Sequence, residues 1–426
     1  MSLSLVSQAR ERTAAEIGLD DDIAAMLRAD PSPPRAAAAE QFKKAGLPTK
    51  RLEAWHYTDL RGALRKLAPR APAPDADAIA KARALLAAAP KLGTVRYVSV
   101  DGAFIAALTE GAPGVEPKLS PAAAPANPHD DDPIAAVMAG LAPGRWDIPL
   151  GDGSALIEIA HVTTKPATLG VMRLGLTAPA GGRVRLLERF LGAEGGAQRF
   201  TAAKISVGEG GEFGHVVMID DEASLHVETQ RPTLAKGASY AGFALVPGGA
   251  LVRRQIFARL EGEGGKIALG GLSLIDGKRH ADTTLEVVHA APGGESREFY
   301  KHIVADEGVG VYQGKVIVDQ YAQKTDGAMK SQAVLLSPAA QMMNKPEREI
   351  FADDVVCGHG ATVAALDAEQ IFYLQARGIK RADAEAMVLE AFGAEAILRG
   401  AEEDLHEPLL AVMRGWLAKR GKGGAS

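Results

Sequence analysis

Cys357 and His359 stand one residue apart in Val355-Val-Cys-Gly-His-Gly-Ala-Thr-Val363, and Cys357 is the only cysteine of the chain. On a regular strand the two side chains project to one side, where thiolate and imidazole suit a soft or borderline metal. Two ligands do not make a stable site, so a metal here would be shared with another chain. The bland alternative is a small buried thiol beside a satisfied interface histidine. His280, His289 and His302 form a second set whose spacing suits stacked coils, as hydrogen-bonded structural imidazoles or a ladder of rings. Lys324-Thr325-Asp326 is expected to fix a loop by charge-assisted hydrogen bonds. His129-Asp-Asp-Asp132 lacks the spaced ligands and glycine of a calcium loop and reads as a solvated turn.

Nucleotide loops are absent. A P-loop needs four residues between Gly and Gly-Lys-Ser/Thr, whereas Gly271 to Gly277-Lys-Arg279 has five and Gly310 to Gly314-Lys-Val316 has three, neither with a hydroxyl. The expectation is that no nucleotide binds this chain and that any ATP is handled by another subunit.

The elements that must position Cys357 and His359 follow from periodicity. Residues 155–366 alternate apolar and polar in short runs, such as Leu156-Ile-Glu-Ile-Ala-His-Val162, punctuated by Gly-Gly pairs and almost free of helical sequence. Either a sandwich or a coiled β-solenoid satisfies that pattern. After Leu366 the period becomes helical: Asp367 with Gln370 three residues on reads as an N-cap, Gly378 as a stop, and two further helices follow, the last over residues 404–419 before a frayed tail. In the second, Met387, Val388, Ala391 and Phe392 share one face. Residues 1–67 read as helical, with Trp55 and Tyr57 as packing anchors, and 68–154 as a linker and mixed α/β region. The helical tail, 367–426, is expected to cap the exposed end of the β region.

Composition sets the class. A net charge of −5 over 426 residues gives no reason to expect nucleic acid or an anionic membrane surface as partner. One cysteine excludes a disulfide framework and fits a reducing compartment. With no basic-then-apolar leader and no apolar run of membrane length, the expectation is a cytoplasmic chain.

The region also carries a resemblance. Tyr312-Gln-Gly-Lys-Val-Ile-Val318, Gln323-Lys-Thr-Asp326, Leu335-Leu-Ser337, Pro346, Ala352-Asp-Asp-Val355, Cys357-Gly-His-Gly-Ala-Thr-Val363, Phe372-Tyr-Leu374 and Arg377-Gly-Ile379 resemble the shared core of the SufB/SufD family of iron-sulfur cluster assembly proteins. Gly46-Leu-Pro48 followed by Arg51-Leu-Glu-Ala-Trp-His-Tyr-Thr-Asp-Leu60 is similar to the N-terminal signature of its SufD branch. That branch fits better, because SufB-type chains carry a sulfur-accepting cysteine where Lys330-Ser-Gln332 has none.

The resemblance implies a right-handed parallel β-helix core flanked by helical regions. It implies a non-catalytic scaffold that pairs with a SufB-like paralogue and docks the SufC ATPase through Asp367, Gln370, Phe372, Tyr373, Leu374, Arg377 and Gly378. Within that pairing His359, with Cys357, faces a transient iron-sulfur cluster shared with SufB, and Lys324 and Asp326 support the interface. It also admits a reduced flavin on the complex, a homodimer of the isolated chain, and a SufB-like or homodimeric scaffold in place of the SufD role. A polysaccharide-acting β-helix enzyme is the rival from outside the family; it would need carboxylates and a basic residue along a groove, and no such constellation is visible.

Overall fold

The structure, a computed structural model, describes residues 11–111, 115–121, 132–192, 195–223 and 225–423. His129, Asp130 and Asp131 of the acidic turn lie outside the described residues, as do the first ten residues of the helical N-terminal region and residues 424–426 of the tail. The described helices are α1 (Ala14–Ala29), α2 (Pro33–Ala45), α3 (Leu60–Ala63), α4 (Ala76–Ala88), α5 (Pro133–Leu141), α6 (Ala368–Gln375), α7 (Arg381–Gly400) and α8 (Glu403–Gly423). The chain divides into two compact units, residues 1–69 with 121–144 and residues 70–120 with 145–426. Thus 68–154 is not a body of its own, and the C-terminal helices share a unit with the β region.

In the first unit α1 opens on a capping box: Thr13 Oγ1 accepts from Glu16 N–H at 3.2 Å and Glu16 Oε2 from Thr13 N–H at 2.9 Å. Buried Glu16 also accepts from Leu47 N–H, tying the turn after α2 back to α1. The sequence pattern missed α5, whose nine residues, Pro-Ile-Ala-Ala-Val-Met-Ala-Gly-Leu, are all buried. It is apolar all round, so it shows no amphipathic period. Trp55 is buried and Tyr57 half-buried, as anchors should be.

The second unit is a parallel β-solenoid. It begins with β1 (Val95–Val100), β2 (Ala103–Phe104), β3 (Lys118–Ser120) and β4 (Arg145–Asp147). The coils follow as β5 (Leu156–Thr163), β6 (Leu169–Ala178), β7 (Arg183–Gly192), β8 (Gln198–Val207), β9 (Glu212–Ile219), β10 (Leu225–Leu234), β11 (Ser239–Val246) and β12 (Leu251–Leu260). They continue as β13 (Lys266–Ile275), β14 (His280–His289), β15 (Glu295–Val304), β16 (Val309–Val318), β17 (Thr325–Leu335), β18 (Gln341–Ile350) and β19 (Val355–Ala364). From β5 onward odd strands pair only with odd and even with even, all parallel, so each coil lays one strand on each of two facing sheets. The sandwich alternative is thereby set aside. Corners of successive coils require positive φ, supplied by Gly210, Gly237, Gly264 and Gly293 at 62–68°. In the last such corner Lys324 takes the glycine's place at φ 59°.

The lumen is apolar along much of its length but also holds polar side chains, the longest linked run of them near its middle. His215 Nδ1 lies 2.9 Å from Tyr240 Oη, Tyr240 Oη donates to Gln230 Oε1 at 3.4 Å, Gln230 Nε2 donates to Glu228 at 2.9 Å, and Glu228 takes Arg254 Nε at 2.5 Å. Nearer the C-terminal end, burial, only partly opposed by Ser296 and Arg297, pushes the Glu298 carboxyl up to about 8. Because its folded value lies above that of the unfolded chain, stability is full at low pH and falls as pH rises from about 4.5 towards about 8. Glu298→Gln should abolish that decline, so that its advantage over the parent in urea unfolding grows between pH 5 and pH 8 by several kcal/mol, at about 1.4 kcal/mol per unit. Parallel pH profiles for parent and variant would contradict this.

Two expectations are corrected. The histidines make no ladder: His289 and His302 lie on different sheets, their ring nitrogens have no hydrogen-bond partner among the described residues, and burial holds them at about 4 and about 3, hence neutral. Nor do the C-terminal helices cap the solenoid. α7 lies across β11, β13 and β15, and Leu389, Ala396, Ile397, Leu405, Leu409 and Met413 pack with Phe243, Leu272 and Ile303 on the outer face of the odd sheet. The last helix continues to Gly423 beyond its expected end.

Candidate functional site

The last coil is the uncovered one. Along β19 every residue is exposed except Val355 and Cys357, which are half-buried, and β18 is half-buried to exposed throughout. Val356 is 72% exposed and Phe351 61%, values that a monomer's sheet edge seldom carries on apolar residues. Pro346 lies within β18, where the missing N–H is tolerated because no strand follows on that side.

Cys357 is in register with Gly327 and His359 with Met329. Gly327 and Met329 face the lumen and are buried, so Val355, Cys357 and His359 continue the inward side of the sheet onto its final strand. Cys357 packs on the end of the core. Its thiol is raised by burial, with the Gly327 backbone and Arg348 opposing, so it is a weaker nucleophile than a free thiol. Arg348 Nη1 reaches from β18 to donate to the Cys357 carbonyl, bracing β19 across the mouth of the lumen. With no further coil above it, the His359 ring is exposed. Among the described residues no group of three or more His, Cys, Asp or Glu side chains could hold a metal ion, so Cys357 and His359 find no third ligand there.

Asp326 and Lys324 flank this end without pairing with each other. Asp326 Oδ2 accepts from Arg297 Nη2 at 2.6 Å, linking β17 to β15, while Lys324 N–H donates to Asp354 O at 2.6 Å, fastening the strained corner to the entry of β19.

The second cluster lies on α6 and α7. Asp367 caps α6 by accepting from Glu369 N–H at 2.9 Å and Gln370 N–H at 3.5 Å, and Gly378, at φ 85°, ends the turn after it. Asp367, Gln370, Tyr373 and Leu374 line an open groove of about 500 Å3 with Met387, Val388 and Ala391. Phe372 is not among its walls but stands 72% exposed beside it, and Arg377 lies 3.5 Å over the Tyr373 ring. Of the face read from spacing, Met387, Val388 and Ala391 border the groove, but Phe392 does not: it packs on the sheet side with Leu389, Ala396 and Ile397. Asp367→Ala should cost α6 about 1 kcal/mol. Amide exchange of Ile371 to Gln375 would then quicken about fivefold; unchanged protection would show that the cap is dispensable.

Sequence reasoning missed Arg348, whose link to Cys357 crosses between sheets, and the α7 side of the groove. Only Pro346, two residues before Arg348, signalled in the sequence that this strand lies at an edge.

Residues 161–392, which include Cys357, His359 and the α6–α7 groove, match the family described as SUF system FeS cluster assembly, SufBD core domain. The chain is also 30% identical over 401 residues to the iron-sulfur cluster assembly protein SufD of Escherichia coli (strain K12), across 89% of this chain and 92% of that one. The chain belongs to the SufBD family. A second SufBD family protein, from Synechocystis sp., is 31% identical over 194 residues, 45% of this chain and 43% of its own length. The chloroplastic protein ABCI7 of Arabidopsis thaliana is 27% identical over 249 residues, 58% and 52% of the two chains. This SufBD chain is thus an iron-sulfur cluster assembly protein and a SufD homologue. Among its described residues no helix is long and apolar enough to cross a membrane.

Proposed function

We propose that this chain is the SufD-type scaffold of a cytoplasmic SufB–SufC–SufD assembly, accessory to the ATPase and without catalysis of its own. One observation carries the reading: a ten-residue parallel strand at the end of the solenoid, with an open backbone edge and an exposed His359, is covered by none of the described residues. A paralogue with the same right-handed coil has the cross-section to continue both sheets across that end. His359 then meets the partner's sulfur ligand, with Cys357 beneath, and the nascent cluster is cargo held between chains.

The α6–α7 groove, with exposed Phe372, Tyr373 and Met387 around it, suits an apolar anchor from SufC. One SufC on each arm, drawn together by ATP, would strain the junction and open it to iron and persulfide. Without the paralogue, the same edge pairs two copies of this chain.

Coexpression with SufB and SufC homologues tests the proposal. The three chains should elute together; a folded chain that associates with neither overturns it.

A further inference from the structure

A cleft of about 400 Å3 lies on the outer face of the odd sheet beside the C-terminal end of α7, on the opposite side of the sheet from the inward row of Cys357. Two outward rows make its floor. Ala241, Ala268, Arg297 and Ala328 are in register in one, and Gly270, Phe299 and Lys330 in the other. The small side chains leave the room. The rows run out to Gly358 and Gly360 on β19, where an added Cβ would meet nothing within 4 Å, so the far side stays open.

The walls are cationic. Arg399 and Lys330, which line the cleft, stand 4.8 and 5.9 Å from the Phe299 ring centre, while buried Lys301, 4.1 Å over the Phe392 ring, is not part of the lining. Glu395 serves both Lys301 and Arg399, and Arg297 is taken up by Asp326 at 2.6 Å. Lys330 has no ion pair among the described residues. Of the two cations at the Phe299 wall, Arg399 shares Glu395 with buried Lys301 and Lys330 pairs with no carboxylate among the described residues, so the lining carries an excess of positive charge beside an aromatic wall. The pKa of Lys301 is lowered chiefly by its burial, against the opposing pull of Glu395, with Lys330 and Arg399 adding smaller contributions.

We infer that this cleft binds a small organic anion, its flat apolar body resting on the alanine and glycine floor against Phe299 and its carboxylate or phosphate meeting Lys330 and Arg399. A volume of this size suits one ring system with its acid group. The inference stands apart from the proposed complex, since every group in it belongs to this chain.

Calorimetric titration of the isolated full chain with phenyl phosphate, benzoate and inorganic phosphate tests it. Phenyl phosphate or benzoate should bind at least about tenfold more tightly than inorganic phosphate, because the ring adds buried apolar area. The tighter of the two identifies phosphate or carboxylate as the natural acid group. Lys330→Gln should weaken binding about tenfold or more. Ala328→Leu keeps every charge but fills the floor, and should abolish binding with the unfolding temperature preserved. Inorganic phosphate binding as tightly as phenyl phosphate, parental affinity in both variants, or no binding of either aromatic probe at millimolar concentration would each overturn the inference.

Discussion

Replacing His359 with alanine should lower iron-sulfur cluster formation by the assembled complex at least about tenfold while leaving the chain folded. The ring is exposed on a terminal strand and supports no hydrogen bond within the described residues, so its removal should shift stability by no more than about 0.5 kcal/mol. The functional loss is large for the opposite reason. With no third ligand near Cys357 and His359 among the described residues, each donor this chain would contribute in the proposed complex is a large fraction of what would hold the cargo. Cluster absorbance after reconstitution with the SufB and SufC homologues, read beside the thermal midpoint of the variant, separates the two effects. Parental cluster yield from the alanine variant would remove His359 from the site.

The second large effect belongs to the strand that carries the histidine. Val356→Lys places a charge on an apolar side chain that is 72% exposed, on the edge where another chain would have to pair. Natural sheets use edge lysines to prevent such pairing, and a charge buried at the junction should cost at least about 2 kcal/mol, near a thirtyfold rise in Kd. The monomer should lose almost nothing. His359→Ala, in contrast, should leave association near its parental strength, so the pair of variants tells assembly from ligation. A Val356→Lys chain that binds the paralogue as tightly as the parent would show that the partner docks elsewhere.

What was legible in the sequence was local. Alternation of period two gives β5 to β19, and Asp367 announces α6, because each signal depends on a few neighbouring residues. Placement was less legible. Capping of the solenoid by the tail follows from a general need to cover edges, whereas Leu389, Ala396 and Ile397 find Phe243 and Leu272 on the side of the sheet, a contact between residues more than a hundred positions apart. The lumen chain from His215 to Arg254 escaped notice for the same reason: its members come from four strands, and in sequence they look like ordinary polar residues between apolar ones. In β19 the spacing of Cys357 and His359 put both on one face, but only the fold shows that this face ends in the open, with the thiol half-covered and the imidazole exposed. Lys324 carried no sign that it holds a glycine's conformation.

Pulsed EPR of the reduced, cluster-loaded complex, with 15N-histidine incorporated only into this chain, asks most directly whether its imidazole meets the cargo. A 15N hyperfine coupling present in the parent and gone in His359→Ala is the expected result. A spectrum without coupling to this chain's nitrogen, or one whose coupling survives the substitution, would place the cluster away from the end of the solenoid.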